Sequence, residues 1–413
     1  MFAFIARQPV LDRDKEVFAY ELLFRDGKNN CYPDVVRDEA TTKMIARNYL
    51  TLGLDDISCN KKSFINFQPN TVLQGIPREL DPENVIVELF DGTFSHDSLL
   101  TICKHVKNLG YKLALEGHRL DAKWQDYLPY LDMVKVNTTN SDYDAIAKNV
   151  NRYLESNLQL VADKIETQQD FAIFKEMGFD YFQGYFFARP ESVSQKNIPT
   201  SKLTLVELMG ASSSETFDVD NINSVIEHDV GLSYMLLRFI NNPTINKRYK
   251  ITSLRHALNY MGEVEIKKFI ALLALANLSD DKPNELLHLS LVRAKFCDLV
   301  GNEKGIGSNP PTGFLVGLFS LLDALLDQDM KTLVEKLPLV EEVKIALCGG
   351  QNDLSMYLLL VKAFESGNWL KVLRLAKILE IDQKVLHSLF NQAIVWGNGV
   401  RRSISPHFPE SRV

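Results

Sequence analysis

The sequence predicts an α/β barrel followed by an all-helical domain, and three observations carry that expectation. Up to residue 198, short β-rich runs alternate with amphipathic stretches, the texture of βα units around a mostly parallel sheet. There are eight such runs, enough to close a compact TIM-like (β/α)8 barrel. After Pro199 the strand signal vanishes and helical periodicity takes over.

The runs read as strands are Met1–Ala6, Val17–Phe24, Ser63–Asn66, Val85–Glu88, Lys112–Glu116, Met133–Val136, Leu158–Ala162 and Tyr181–Phe187. Between them, Asp38–Gly53, Asp97–Leu109, Asp142–Ser156 and Thr167–Met177 carry apolar residues at helical spacing. The segment Ala188–Ser201 is polar and proline-bounded, and reads as the linker. Beyond it lie helices expected at Val219–Glu227, Gly231–Ile240, Ile251–Leu258, Glu263–Ala276, Glu285–Val300, Gly313–Leu326, Met330–Leu337, Val340–Leu347, Asn352–Glu365, Trp369–Leu379 and Lys384–Val395. Gly and Pro breaks such as Met261-Gly262 and Asn309-Pro310-Pro311 separate them. The expected domains are therefore 1–198 and 199–396, with 397–413 as a loose, proline-punctuated tail.

Composition narrows the function classes. Lys plus Arg is 46 and Asp plus Glu is 53, a formal charge of −7. A mildly acidic chain has no electrostatic footprint for nucleic acid or an anionic membrane, so neither is an expected partner. The cysteines Cys31, Cys59, Cys103, Cys297 and Cys348 are odd in number and far apart, as for reduced thiols in a cytosol. The longest nearly apolar stretch, Gly313–Leu326, contains Asp323 and is too short to span a bilayer. A cytoplasmic location is expected.

Polar residues recur at or just past the strand ends: Glu88, Glu116, Asn137 and Asp163, with Gln183 inside the last run. In a βα barrel that end is the face on which chemistry is assembled. Singly, a carboxylate at a strand end is as often a helix cap or a surface group, and Lys135 could simply pair with Glu88 or Glu116.

Taken in order, these residues resemble a family. The opening ARQPVLDRDKEVFAYELLFRDG, with Tyr20-Glu21-Leu22-Leu23-Phe24-Arg25, resembles the start of an EAL domain. Phe64-Ile65-Asn66-Phe67-Gln68-Pro69, Val85-Ile86-Val87-Glu88-Leu89, Asp132-Met133-Val134-Lys135-Val136-Asn137 and Phe182-Gln183-Gly184-Tyr185-Phe186 resemble its later motifs. Their order and spacing make the set specific where each match alone is weak. The resemblance implies a cyclic di-GMP phosphodiesterase-like barrel with Glu21, Asn66, Glu88, Glu116 and Asp163 as metal ligands. It implies Lys135 as the catalytic cation if the site is active, and Arg25 and Gln183 as ligand contacts. Two hard cations held by oxygen ligands would neutralise the attacking hydroxide, the phosphate and the leaving oxygen.

The chain departs from that pattern in one place above all. Where the family has two aspartates, Phe-Gly and a Gly-rich loop, this chain has Leu115-Glu116-Gly117-His118-Arg119-Leu120. Asp163-Lys164 stands where the family has Glu-Gly, and Asn137 where it has Asp. A barrel typically takes about 250 residues, and this one must close in fewer than 200, a shortage assigned here to the connecting elements.

The helical half resembles an HDOD domain, a relative of the HD phosphohydrolases, through Ile226–Asn241, Ile251–Leu258 with Met261-Gly262, and Gly313–Leu326. No His-Asp dyad sits on its central helices. His228-Asp229 lies at a helix start, where Asp229 serves as a cap. His256, His288 and His387 are isolated core or surface histidines, and Trp369 and Tyr357 are the aromatics expected to anchor a partner surface.

The resulting expectation is an EAL–HDOD signalling protein without enzymatic turnover. It would regulate an output such as motility or biofilm formation through contacts with an unidentified regulatory protein. A weak metal-dependent cyclic di-GMP phosphodiesterase and a cyclic di-GMP receptor without turnover stand as alternatives. No cofactor is expected, although Mg²⁺ or Mn²⁺ could still occupy the degenerate site.

Overall fold

Near-continuous apolar runs let each parallel barrel strand bury both faces, alternate side chains turning to the barrel interior and to the layer outside it. The computed structural model describes residues 3–26, 57–67, 72, 80–90, 96–116, 126–139, 143–189, 230–245, 250–278, 282–305, 309–337 and 339–404. Cys31, Gly117–Leu120, His228-Asp229 and the expected helices at 38–53 and 219–227 lie outside the described residues. The chain forms two compact units, residues 1–189 with 365–367 and residues 190–364 with 368–413, and the first division falls inside the expected linker.

The first unit is a closed eight-stranded barrel in sequential order: β1 (Ala3–Leu11), β2 (Val17–Asp26), β3 (Lys62–Asn66), β4 (Val85–Phe90), β5 (Lys112–Glu116), β6 (Met133–Asn137), β7 (Gln159–Asp163) and β8 (Tyr181–Gln183). Helices α1 (His96–Asn108), α2 (Tyr143–Glu155) and α3 (Gln168–Glu176) follow β4, β6 and β7. Both ends of the sheet depart from expectation. The first strand runs on to Leu11 rather than stopping at Ala6, and it is antiparallel to both β2 and β8. It joins β2 through a tight turn in which Asp12 Oδ1 accepts from the N–H groups of Asp14 and Glu16, at 2.9 and 3.0 Å. Antiparallel neighbours need no crossover helix. The short barrel therefore saves part of its length at this hairpin. The last strand ends at Gln183, and Phe186–Ala188 form a 3-10 turn instead of extending it.

The N-terminal ends of the strands are closed by side chains. Asp132 accepts from Leu113 N–H at 3.0 Å and pairs with Lys107 at 2.8 Å. Asp180 does the same for Leu160 N–H at 2.8 Å. These groups hold the barrel's lower face, the end that serves stability in such folds. At the opposite end, Thr167, four residues after Asp163, forms with Asp170 the reciprocal capping box that starts α3.

The second unit is helical throughout: α4 (Val230–Ile240), α5 (Leu254–Leu278), α6 (Asn284–Glu303), α7 (Thr312–Phe319), α8 (Leu322–Leu326), α9 (Met330–Lys336), α10 (Glu341–Leu347), α11 (Asp353–Glu365), α12 (Trp369–Leu379) and α13 (Gln383–Ile404). The break expected at Met261-Gly262 is a kink inside α5, with Gly262 at φ 72° and ψ 169°. Helix α6 is buried along nearly its whole length, and α7 and α13 pack against it. The Gly313–Leu326 segment is two helices rather than one, broken at Ser320-Leu321.

Two expectations are corrected here. Residues 397–404 are not tail but the last two turns of α13. Their polar side chains are buried partners: Arg401 lies 3.7 Å from Glu285, and Asn242 donates to Gly399 O and Ser403 Oγ at 2.7 and 2.5 Å. Trp369 and Tyr357 are buried and anchor no exposed surface. Trp369 packs edge-on to Phe364 and beside His387, joining α11, α12 and α13. His288 is buried as well, whereas His256 is exposed. The described cysteines are free thiols, and no helix among the described residues is long and apolar enough to cross a membrane.

Candidate active site at the strand ends of the barrel

The barrel interior is built in layers, and the layering explains how the site arises. Val10, Ala19, Phe64, Ile86, Ala114, Met133 and Val161 close into an apolar ring, with Tyr181 packed against it. One pleat further towards the C-terminal ends, every parallel strand presents a polar residue instead. These are Glu21, Asn66, Glu88, Glu116, Lys135, Asp163 and Gln183, each two positions after its apolar partner. Because β1 runs the other way, its member of the upper ring is Gln8, two positions before Val10. Side chains two apart on a strand share a face. The strand periodicity that fills the core therefore also stacks the polar ring upon it.

Within the ring, Lys135 is the centre of charge. Its Nζ lies 2.8 Å from both Glu21 Oε2 and Glu88 Oε1, and all three side chains are buried. Glu21 is the best-served carboxylate. Its Oε1 accepts from Asn66 Nδ2 at 2.8 Å, and its Oε2 also accepts from Gln183 Nε2 at 2.5 Å. Gln183 Nε2 donates in addition to Gln8 Oε1 at 3.0 Å. Burial alone would raise the Glu21 pKa, but the Lys135 charge and these three donors hold it below the usual carboxylate value.

Glu88 has the same lysine and the opposite outcome. Fully buried, with Lys135 as its charged contact and Glu21 and Glu116 repelling it, it is pushed up to about 8. Its Oε2 has no hydrogen-bond partner. Burial also raises Glu116 and Asp163. Lys135 is raised too, for a different reason: burial would lower its pKa, but the four surrounding carboxylates keep it well above the ordinary lysine value. Four ionised carboxylates would outnumber the one ammonium, and the raised values of Glu88, Glu116 and Asp163 mark a ring short of positive charge that a proton on Glu88 helps to offset.

The motif glycine has a steric role. Gly184 sits at φ +145°, and a Cβ there would lie 2.0 Å from the backbone oxygen of Ile165. Ile165 N–H donates to Gln183 O at 2.9 Å, so the loop after Asp163 is sewn onto β8 at this point. Asp163 Oδ1 accepts from Lys164 N–H at 2.8 Å, and Lys164 adopts φ 62°. That turn fixes the carboxylate at the rim.

The expected residues therefore converge, with distinctions. Glu21, Asn66, Glu88, Glu116, Lys135, Asp163 and Gln183 occupy one ring. Arg25 lies on β2 opposite Phe4, with its side chain outside the described residues. Asn137 follows Lys135 on β6 and turns its Oδ1 to Thr139 N–H at 3.0 Å. Gln8 is the member that sequence reading missed.

Comparison with known proteins agrees with this architecture. The EAL domain model matches residues 38–190 and the HDOD domain model residues 198–330. The cyclic di-GMP phosphodiesterase CdgJ of Vibrio cholerae serotype O1 is 32% identical over 404 residues, covering 97% of this chain and 94% of that protein. The chain belongs to the EAL–HDOD family. The uncharacterized protein YuxH of Bacillus subtilis is also 32% identical, over 407 residues, covering 96% of this chain and 98% of that protein. Among solved structures, the cyclic di-GMP-bound form of a standalone EAL protein from Vibrio cholerae O395 is 22% identical, covering 46% of this chain and 92% of that one, with a TM-score of 0.36. The barrel described above is the EAL domain, and the helical unit is consistent with HDOD.

EAL membership raises the question of a metal. Among the described residues, no three His, Cys, Asp or Glu side chains stand close enough together to hold one ion between them. An Mg²⁺-type ion does not require such a cage, since it keeps several waters and takes one or two carboxylates together with substrate phosphates. The unpartnered Glu88 Oε2 and the excess of carboxylate over ammonium fit such a hydrated cation.

Proposed function

We propose that the barrel binds cyclic di-GMP at this ring and hydrolyses it slowly with a divalent cation. The observation that carries the reading is the ring itself. Every barrel strand contributes one polar side chain to a single layer at the catalytic end, and that layer is short of positive charge. The name of CdgJ, a relative along nearly the whole chain, supports the same chemistry.

The roles follow from the geometry. Lys135, held protonated by its carboxylate neighbours, is no base. It offers a fixed positive charge to a phosphate or to the oxyanion that develops on it. Glu21, kept ionised by Lys135, Gln183 and Asn66, supplies an oriented carboxylate; Glu88, Glu116 and Asp163 complete the oxygen donors. A bound cation would supply Lewis acidity to the phosphate and a lowered pKa to the attacking water. Slowness follows from the sequence: Gly117 removes one carboxylate and Asp163 is a methylene shorter than the family's glutamate. A displacement of about 1 Å in such a site can cost a hundredfold in rate.

The loss at Gly117 favours a second reading, in which the protein binds cyclic di-GMP and signals without turnover. One experiment separates the two. Purified full-length protein is titrated with the dinucleotide in a calorimeter, with and without Mn²⁺, and incubated samples are assayed for the linear product. Product that disappears in Glu21→Ala supports the phosphodiesterase. Heat without product would leave the receptor, and neither heat nor product would sink both.

A further inference from the structure

We infer that Gln8 is a positioning residue of the ring: it fixes the amide of Gln183, and through that amide the carboxylate of Glu21. The inference rests on the proposed cation-dependent site, but its geometry stands apart from that chemistry. Gln183 is buried, and its amino group lies between two acceptors, Glu21 Oε2 at 2.5 Å and Gln8 Oε1 at 3.0 Å. The Glu21 carboxylate can only accept, and Gln8 turns its Oε1 this way with its own Nε2 donating to Glu365 O at 3.4 Å, so only the amino end of the Gln183 amide fits that place. A reversed amide would set Gln183 Oε1 against the Glu21 carboxylate. Glu21 alone would enforce the orientation weakly, since one hydrogen bond leaves the long side chain free to swing. The second anchor, from the antiparallel strand, removes that freedom.

The register makes Gln8 the residue able to do this from β1. Gln183 pairs with Val10 across the β1–β8 seam, and Gln8 pairs with Glu21 across the β1–β2 seam. Gln8 is thus adjacent to both ends of the contact it organises. The arrangement also leaves Gln183 Oε1 buried with no hydrogen-bond partner, an acceptor held in the ring. Outer partners of this kind orient the groups that touch a cation, and their loss typically costs about 10–100-fold in metal affinity.

The test compares Gln8→Leu, which removes the acceptor, with Gln8→Glu, which keeps one in the same place. The first readout is hydrogen exchange of the Gln183 side-chain amide in the full-length protein, followed by NMR and assigned by its loss in Gln183→Glu. The second is affinity for Mn²⁺ alone, by calorimetry. We expect Gln8→Leu to speed the amide exchange at least about tenfold and to weaken Mn²⁺ by a similar factor. Gln8→Glu should retain the slow amide exchange and bind Mn²⁺ no more weakly than wild type, and Gln8→Leu/Gln183→Leu should bind Mn²⁺ no worse than Gln183→Leu. Unchanged exchange in Gln8→Leu, or losses that simply add in the double variant, would overturn the inference. A wild-type protein that binds neither Mn²⁺ nor cyclic di-GMP would instead remove the proposed function, and the exchange result alone would then decide the role of Gln8. Equal urea midpoints for the two Gln8 variants are the control for a merely structural effect.

Discussion

Glu21 and Glu88 touch the same ammonium at the same distance and are both buried, yet their other partners drive them apart. The pair shows that a salt bridge does not set a pKa by itself: Glu21 has donors from Asn66 and Gln183, whereas Glu88 has the lysine and two repelling carboxylates. A stability prediction follows for the protein kept metal-free with a chelator. The folded-state value for Glu88, about 8, lies above its ordinary 4.5, so the folded protein keeps a proton that the unfolded chain releases between those pH values. Its contribution is fully present below the lower value and is lost as pH rises through the upper one. Glu116 and Asp163 act in the same direction, and Glu21 in the opposite one. At about 1.4 kcal/mol per pKa unit, Glu88→Gln should flatten the fall in stability between pH 6 and 8 by at least about 1 kcal/mol. Urea midpoints at the two pH values measure it, and parallel profiles for variant and wild type would refute it. Lys135→Met should behave quite differently. Removing one partner of a buried ion pair costs about 3–5 kcal/mol because it strands the others. Adding Glu88→Gln to Lys135→Met should recover part of that loss, which denaturation of the three variants will show.

Elements pack here through backbone approach as much as through side-chain volume. Helix α7 meets α6 through Gly313 and Gly317, one turn apart, where a Cβ would lie 2.9 Å from Cys297 O and 2.3 Å from Arg293 O. Gly317→Ala should therefore force the helices apart and cost about 3 kcal/mol, the upper end of the overpacking range. Gly349, at φ +80° with open space around it, should cost only about 1–2 kcal/mol of left-handed strain on the same change. Thermal midpoints of the two variants should rank in that order, and equal shifts would show that the α6–α7 contact relaxes. The contrast bears on what the sequence can convey. Short apolar runs closed by Asn, Glu or Asp made β3 to β7 legible to within one or two residues at their C-terminal ends, and they marked the site with the strand. β1 was illegible past Ala6 because Arg7-Gln8-Pro9 reads as a strand end; the alternation of Ala6, Gln8 and Val10 before the Asp12 turn was the signal that would have extended it. The end of α13 was hidden for a related reason. Arg401 and Ser403 look like solvent-facing tail until Glu285 and Asn242, distant in sequence, supply their partners. Local pattern records periodicity and leaves unrecorded which polar residues will find a buried mate.

At the scale of the whole chain, two cores have been built by two different rules. The barrel closes an apolar ring and stacks a charged one on it, whereas the helical unit wraps a nearly fully buried α6. Each unit has its own compact core, so each is expected to melt as a cooperative body. The charged ring holds buried carboxylates whose cost a bound ligand can relieve. Calorimetric scans of the full-length protein should therefore show two transitions. Gly184→Ala should lower one of them, by driving a Cβ into Ile165, and Gly317→Ala the other. Cyclic di-GMP with Mn²⁺ at about a hundred times its dissociation constant should stabilise the barrel by about 2.7 kcal/mol and move only the transition that responds to Gly184→Ala. If both transitions move together with ligand, the barrel's occupancy is transmitted to the helical unit. A single transition lowered by either glycine variant would refute the division into independent cores. A ligand shift confined to the Gly317→Ala transition would place the dinucleotide site outside the ring altogether.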